Sequence, residues 1–207
     1  MNKYMHPRNP YKTRPDFKLL GNTYPSFASL LDQNGKLDFS NRLNTITLTK
    51  CLLHRDYGVN IEFPNNSLSP SLTLKMNYLL WLEDLMLNND YFASDIKEPK
   101  RIIGLDIGTG GAALFPVLAV KHFGWSMLAT ENNKDDCDMA SYNIRNNGLD
   151  SHIKVFHNPD KDSIFAAIKQ NIPEVKDIAF SMTNPPFYDT EDYGKWVTWM
   201  ERSNGEN

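Results

Sequence analysis

From Arg101 onward, short apolar runs alternate with helix-like segments, and this alternation restricts the chain more than any other feature it has. The runs are Arg101 to Asp106, Ser126 to Glu131, Ile153 to Asn158 and Asp177 to Thr183; between them lie Ala112 to Phe123, Lys134 to Asn147 and Ser163 to Asn171. A strand that returns parallel to its predecessor needs a crossover, and a helix packed on the sheet supplies it in the right-handed sense. The pattern predicts a doubly wound α/β domain. Gly148 falls where the second of these helices needs a left-handed residue to stop.

The residues before this region read differently. Pro7, Pro10, Pro15 and Pro25 punctuate an extended start. Helical periodicity begins at Arg42 to His54, with Gly58 as its stop. A second helix is marked by Leu74, Tyr78, Trp81, Leu82, Leu85 and Met86, whose spacing places them on one face, expected to be core. Residues 1–95 are therefore expected to form a helical layer on a core of residues 96–187, followed by a polar tail, 188–207, in which Trp196 and Trp199 are the large apolar anchors.

With 207 residues, 41% hydrophobic and 23% charged, the chain has the makings of one packed domain rather than a disordered one. Its apolar stretches, such as Ala112 to Val120, are far shorter than the ~20 residues that span a bilayer, and the polar start lacks a signal-peptide core, so an intracellular protein without a membrane partner is expected. Cys51 and Cys137 have no CxxC spacing and read as buried thiols; neither a disulfide framework nor a metal is expected. The net charge of −3 argues against wholesale nucleic-acid binding, but its distribution is uneven. Lys3, Arg8, Lys12, Arg14 and Lys18 face only Asp16, a local +4 that leaves −7 for the rest. A basic start beside a roughly neutral body suits phosphate contacts at one edge of a site, and equally suits a solvated terminus.

Two segments carry chemistry. Asp106-Ile107-Gly108-Thr109-Gly110-Gly111 lies between a strand and a helix, where glycines allow a tight turn and close approach of a ligand to backbone amides. Glycines in such turns also serve purely steric ends. Glu131, which ends the next strand, adds a carboxylate able to accept ribose hydroxyls. An acidic residue directly before the turn would repel a pyrophosphate and suits a cationic amino-acid tail, which favours S-adenosylmethionine over a dinucleotide.

Asn184-Pro185-Pro186-Phe187 closes the last run, at the carboxyl edge where ligands of open α/β sheets bind. The prolines fix the backbone so that the Asn184 amide oxygen and the Pro185 carbonyl can each accept one N–H of the same exocyclic amine, while Phe187 offers a ring for stacking. A rigid turn after a strand is the bland alternative; the motif's place beside the glycine turn favours the amine site. Methyl transfer to an amine needs no general base, because in-line attack can precede proton loss.

With these motifs in place, the chain resembles the U6 small nuclear RNA adenine-N6 methyltransferases, the methyltransferase-like sixteen type, which are related to a bacterial 23S ribosomal RNA adenine-N6 methyltransferase. The resemblance covers nearly the whole chain. It is carried by Met5-His6-Pro7-Arg8-Asn9-Pro10-Tyr11-Lys12, Leu48 to Pro64, Leu74-Lys75-Met76-Asn77-Tyr78, Asp106 to Pro116, Gly124-Trp125 with Ala129-Thr130-Glu131, and Thr183 to Phe187. It implies a Rossmann-like class I fold and methyl transfer from S-adenosylmethionine to the N6 amine of adenosine in a structured small nuclear RNA, in nucleus or cytoplasm. It further implies that Lys75, Asp106, Gly108, Gly110, Glu131 and Asn184 hold the cofactor, that Asn184, Pro185, Pro186 and Phe187 hold the adenine, and that Arg8, Lys12 and Arg14 meet the RNA backbone. Lys75 stands where the family commonly has arginine, which keeps the charge and loses a bidentate grip. That class has a seven-stranded sheet, whereas the sequence supplies four strands and ends ~20 residues after Phe187. A chain truncated after the fourth strand is expected. A protein glutamine-N5 methyltransferase, which shares an Asn-Pro-Pro-aromatic motif, and a noncatalytic RNA-binding relic are the competing expectations.

Overall fold

A computed structural model describes residues 4–65, 71–89, 92, 101–160, 163–175 and 177–185. Pro186, Phe187, Lys3 and the tail with Trp196 and Trp199 lie outside the described residues. The N-terminal layer consists of α1 (Phe17–Thr23), α2 (Pro25–Ala28), α3 (Arg42–Tyr57) and α4 (Leu72–Leu87). Side-chain caps start three of them: Asp16 for α1, Asn41 for α3 and Ser71 for α4, each contributing about 1 kcal/mol. Gly58, at φ 64°, stops α3 as expected.

Next come β1 (Ile103–Ile107), α5 (Leu114–Leu118), β2 (Ser126–Glu131), α6 (Lys134–Asn146), β3 (Ile153–His157), α7 (Ala166–Asn171) and β4 (Phe180–Thr183). The four strands lie in the order β3-β2-β1-β4, all parallel. The expected doubly wound architecture is present, and Gly148 takes its left-handed place after α6 at φ 64°.

Two expectations change. The helix after the glycine turn begins at Leu114 rather than Ala112, because Ala113 adopts φ 46°; Pro116 then sits in the first turn, where no N–H is required, and the helix widens into a π-turn over Ala119–Phe123. The second change concerns α4. Of the six residues expected on the buried face, Leu82 and Met86 are buried and Tyr78 packs against the core, but Leu74, Trp81 and Leu85 are 62%, 54% and 51% exposed, and Leu72, Met76, Leu79 and Leu80 are buried in their place. This helix is apolar nearly all round, so its spacing defines more than one candidate stripe, and the packed one is rotated from the one expected.

The proline-rich start is no free arm. Asn9 is buried and donates to the Thr73 carbonyl and to Asn77 Oδ1, which also accepts from the His6 amide. Arg8 pairs with Glu83 and Asp84 on α4, and His6 meets Asp84 at 2.8 Å.

One face of the sheet packs against the N-terminal layer in a cluster running from Tyr11, Phe17 and Phe27 through Met76 and Leu79 to Met127 and Met182. The other face, with Leu105 and Leu128, packs on Ile168 of α7. Because successive strand residues alternate faces, Gly104 and Asp106 share the side opposite Leu105 and look toward α4. A Cβ at Gly104 would lie 2.8 Å from Met127 Sδ and closer still to the Phe180 ring, so β1 is flush there and the phenyl lies across it.

A further joint links the two regions. Asn143 on α6 and Asn147, the residue that caps its end, each grip a residue of the extended segment after α3. Asn143 Oδ1 accepts from the Glu62 amide and its Nδ2 donates to the Glu62 carbonyl, both at 2.8 Å. Asn147 repeats this with Asn60, at 2.7 Å each way.

Candidate active site

The turn after β1 is built from its backbone outward. Ile107 pairs with Thr130 of β2 and with Thr183 of β4, so all three strand ends stand side by side. The Thr130 carbonyl accepts from both Gly108 and Thr109 amides, at 2.9 and 3.0 Å. Gly108 and Gly110 take φ 73° and 67°, the left-handed region that favours glycine. Gly111 is needed for a different reason: a Cβ there would come within 2.5 Å of Pro64 Cγ and 2.9 Å of Asp136 Oδ1. The glycines of this loop thus serve two separate ends, reversal of the chain and close packing beneath the N-terminal layer.

Glu131 is buried, and its carboxylate is already drawn to the turn. Its Oε2 accepts from the Gly110 amide at 2.8 Å, and its Oε1 accepts from the Asn132 and Asn133 amides at 2.9 and 3.0 Å. A carboxylate accommodates about four such bonds, which leaves capacity for a ligand hydroxyl.

Asp106, 1% exposed, sits at the base of the loop. Burial pushes its carboxyl up to about 6, against the pull of the Thr109 hydroxyl and the Lys75 ammonium; the Glu131 charge pushes the same way as burial. Lys75 reaches this place from α4. Its Nζ lies 4.1 Å from the centre of the Phe115 ring, and burial lowers its pKa while attraction to Asp106 raises it. A solvent-facing lysine is therefore not what position 75 holds. Asp106 Oδ2 and Thr109 Oγ1 are buried, and neither makes a hydrogen bond of normal geometry with a described residue, although the hydroxyl is near enough to favour the ionised carboxyl. Buried polar atoms are rarely left so, and two adjoining ones mark a place where a ligand's donors fit.

Asn184 and Pro185 follow Thr183 directly. The Thr183 hydroxyl donates to the Ile107 carbonyl at 2.9 Å and ties the end of β4 to the end of β1. Gly108 and Asn184 consequently leave the sheet as neighbours, and both Asn184 and Pro185 are exposed. The structure brings together Lys75, Asp106, Gly108, Gly110, Glu131 and Asn184. Arg8, Lys12 and Arg14 stand apart from them on the N-terminal layer: Arg8 in its ion pairs with α4, Lys12 exposed, Arg14 with its guanidinium 4.3 Å over the Phe17 ring.

Sequence reasoning missed Thr109, Phe115, Pro64 and Asn143. Asn143 is fully buried, and its Nδ2 donates to the Gly111 carbonyl at 2.9 Å as well as to Glu62. A pair of asparagines four apart in an amphipathic helix was the available signal. Among the described residues no group of His, Cys, Asp and Glu is arranged to hold a metal ion, and no helix is long and apolar enough to cross a membrane. Cys51 and Cys137 are free and buried.

Comparison with known proteins bears on family and fold. The sequence profile of a family described as RNA methyltransferase matches residues 1–206. A U6 small nuclear RNA (adenine-(43)-N(6))-methyltransferase of Caenorhabditis elegans is 37% identical over 91% of the chain, which spans 39% of that relative's length. The N-terminal domain of human METTL16 in complex with SAH, S-adenosylhomocysteine, superposes with a TM-score of 0.76 at 33% identity, covering 96% of this chain and 78% of that one. The METTL16 catalytic domain in complex with the MAT2A 3′UTR hairpin 1 gives a TM-score of 0.76 at 33% identity, over 92% and 63% of the two chains. In fold and in sequence the chain belongs to the RNA methyltransferase family, as a Rossmann-like α/β member.

Proposed function

We propose that the chain carries the donor site and the amine-binding edge of an S-adenosylmethionine-dependent enzyme that methylates the N6 amine of adenosine in a structured RNA. The observation that carries this reading is the register of β1 and β4, in which the pairing of Ile107 with Thr183 makes Gly108 and Asn184 the next residues of neighbouring strands, close to a buried Asp106 whose Oδ2 has no hydrogen-bond partner among the described residues. S-adenosylmethionine, when bound, supplies an electrophilic methyl on a sulfonium. Asp106 Oδ2 and Thr109 Oγ1 fit its ammonium, Lys75 its carboxylate, and Glu131 a ribose hydroxyl.

Asn184 and Pro185 accept the two N–H bonds of the adenine amine, which orients its lone pair toward the donor. Catalysis is then positioning in a preorganised polar frame, and the proton leaves after transfer. Pro186 and Phe187 complete the motif in this proposal. Residues 96–187 form its methyltransferase core, and residues 1–95 form an RNA-contacting extension in which Lys12 and Arg14 offer exposed cations. The RNA relatives named above support the choice of RNA over protein, and a small nuclear RNA target implies work in the nucleus.

The test is transfer of labelled methyl from S-adenosylmethionine to total RNA and to total protein, by this chain and by Asn184→Ala. Label in RNA, lowered ~10-fold to 1000-fold by the substitution while S-adenosylmethionine still raises the Tm, supports the proposal. Label confined to protein would redirect it to glutamine-N5 chemistry, and undiminished transfer by Asn184→Ala would remove the amine-orienting role. A Tm shift without any transfer would leave a cofactor-binding relic.

A further inference from the structure

Among the described residues β4 pairs with β1 alone, so the place of Asn184 relative to the donor loop depends on what joins these two strands. The four residues of β4 divide by face. Phe180 and Met182 turn to the core beneath the N-terminal layer, with Phe180 lying across Gly104. Ser181 and Thr183 turn to the other face, paired with Leu105 and Ile107 of β1, and both are exposed. That face is apolar: Leu105 and Ile107 lie there with Leu128 and Ile168. A valine at position 183 would suit such a strand as well as a threonine does, so packing gives no reason for the hydroxyl.

The hydroxyl has a specific acceptor. Thr183 Oγ1 donates to the Ile107 carbonyl at 2.9 Å, and the Gly108 amide, which belongs to the same peptide unit, donates to the Thr130 carbonyl of β2, also at 2.9 Å. One peptide plane is thus held from both flanking strands. The donor loop departs from that plane, because Gly108 next takes its left-handed φ of 73°. Rotation of the plane would redirect the whole turn from Gly108 to Gly111. At the other end of the bond, Thr183 is joined directly to Asn184. A single hydrogen bond therefore separates the first peptide of the donor loop from the residue that carries Asn184. The pair is exposed, so water can replace the hydroxyl and the bond adds little to net stability. Water would satisfy the carbonyl without tying it to β4.

We propose that Thr183 is a positioning residue for methyl transfer: its hydroxyl fixes the peptide that ends β1 against the end of β4, and so sets the distance and angle between the methyl donor in the glycine turn and an amine held at Asn184. The inference rests on the function proposed above and deepens it. Thr183 acts through the backbone on either side of it, not by contact with the reacting atoms. In-line transfer is sensitive to such an offset, since a misplacement of ~1 Å can cost ~100-fold in rate.

The experiment is steady-state transfer of labelled methyl from S-adenosylmethionine to an adenosine-containing RNA hairpin by the full chain and by its Thr183→Val, Thr183→Ser and Ser181→Ala variants, with S-adenosylmethionine Kd from calorimetry and Tm measured on each. Thr183→Val, which keeps the shape and removes the donor, is expected to lower kcat ~10-fold while cofactor Kd, KM and Tm stay as in the parent chain, the split that marks an interaction realised in the transition state. Thr183→Ser is expected to recover most of that loss, and Ser181→Ala, one pair earlier on the same face, to change none of these quantities. Transfer by Thr183→Val at the parent rate overturns the positioning role and leaves the proposed function standing. A loss that falls on cofactor Kd and Tm instead of kcat, and that Thr183→Ser does not restore, overturns it too and leaves a merely structural tie. A parent chain that binds S-adenosylmethionine and methylates no RNA overturns the proposed function and the positioning role with it.

Discussion

Asn143 Nδ2 donates at 2.9 Å to the carbonyl of Gly111, and so ties the buried face of α6 to the last glycine of the donor loop. The same side chain holds Glu62 from both sides of its peptide unit. Asn143→Ala leaves the buried Gly111 carbonyl and the half-buried amide and carbonyl of Glu62 without this partner, and is expected to cost ~3 kcal/mol in chemical denaturation. Asn147→Ala, whose partners are nearer the surface, is expected to cost ~1 kcal/mol. Cofactor affinity should fall in the first variant and hold in the second, as read by titration calorimetry.

Asp106 makes stability depend on pH in a direction opposite to that of most carboxylates. Its folded pKa of about 6 lies above the unfolded 3.8, so its contribution is fully present below about 4 and is lost as pH rises through 6. Asp106→Asn is therefore expected to stabilise the ligand-free chain by up to ~3 kcal/mol at pH 8, and by nothing at pH 4. The same variant should lose S-adenosylmethionine binding. In the parent chain that affinity should climb as pH rises through about 6, because a cationic tail favours the ionised carboxyl. Melting curves and binding isotherms across this range check both.

Lys75 lowers the Asp106 pKa through its charge. Lys75→Met should shift the pH midpoint of cofactor binding upward, whereas a purely structural role for the lysine would leave that midpoint in place.

Gly111→Ala places a methyl against the Pro64 ring, 2.5 Å from its Cγ. Because that atom belongs to a ring in a held segment, the loop must move. Loss of cofactor affinity with a destabilisation of 1–3 kcal/mol is expected, measured by calorimetry and by urea midpoint.

The rotation of α4 can be tested by two substitutions. Leu79→Ala, at a fully buried position, should cost 2–5 kcal/mol, and Trp81→Lys, at an exposed one, should stay within ~0.5 kcal/mol. The face expected from spacing would give the reverse ranking.

Much of the α/β half was legible because its signals are local. Each strand is a short apolar run, Gly148 marks a helix end, and Asp106, Glu131 and Asn184 fall at strand ends that any parallel sheet brings together. The N-terminal half was less so. The apolar residues of α4 form overlapping stripes, and only packing against Phe115 and the sheet decides which is buried. The Asn143 joint was illegible because its partner carbonyls lie 32 and 81 residues away along the chain, and nothing in local pattern points across such a gap. Thr109 gives no signal of its own in the sequence, because its part depends on the buried Asp106 carboxyl beside it.

The flush place on β1 also bears on how such a sequence can drift. Gly104 and Phe180 divide one fixed volume between adjacent strands, so neither can be exchanged freely while the other stays. An alanine at the first position demands a smaller side chain at the second, and the two together can restore what each alone would break. Among homologous chains, position 104 and position 180 should change as a couple, and one known residue would then foretell the size of its mate.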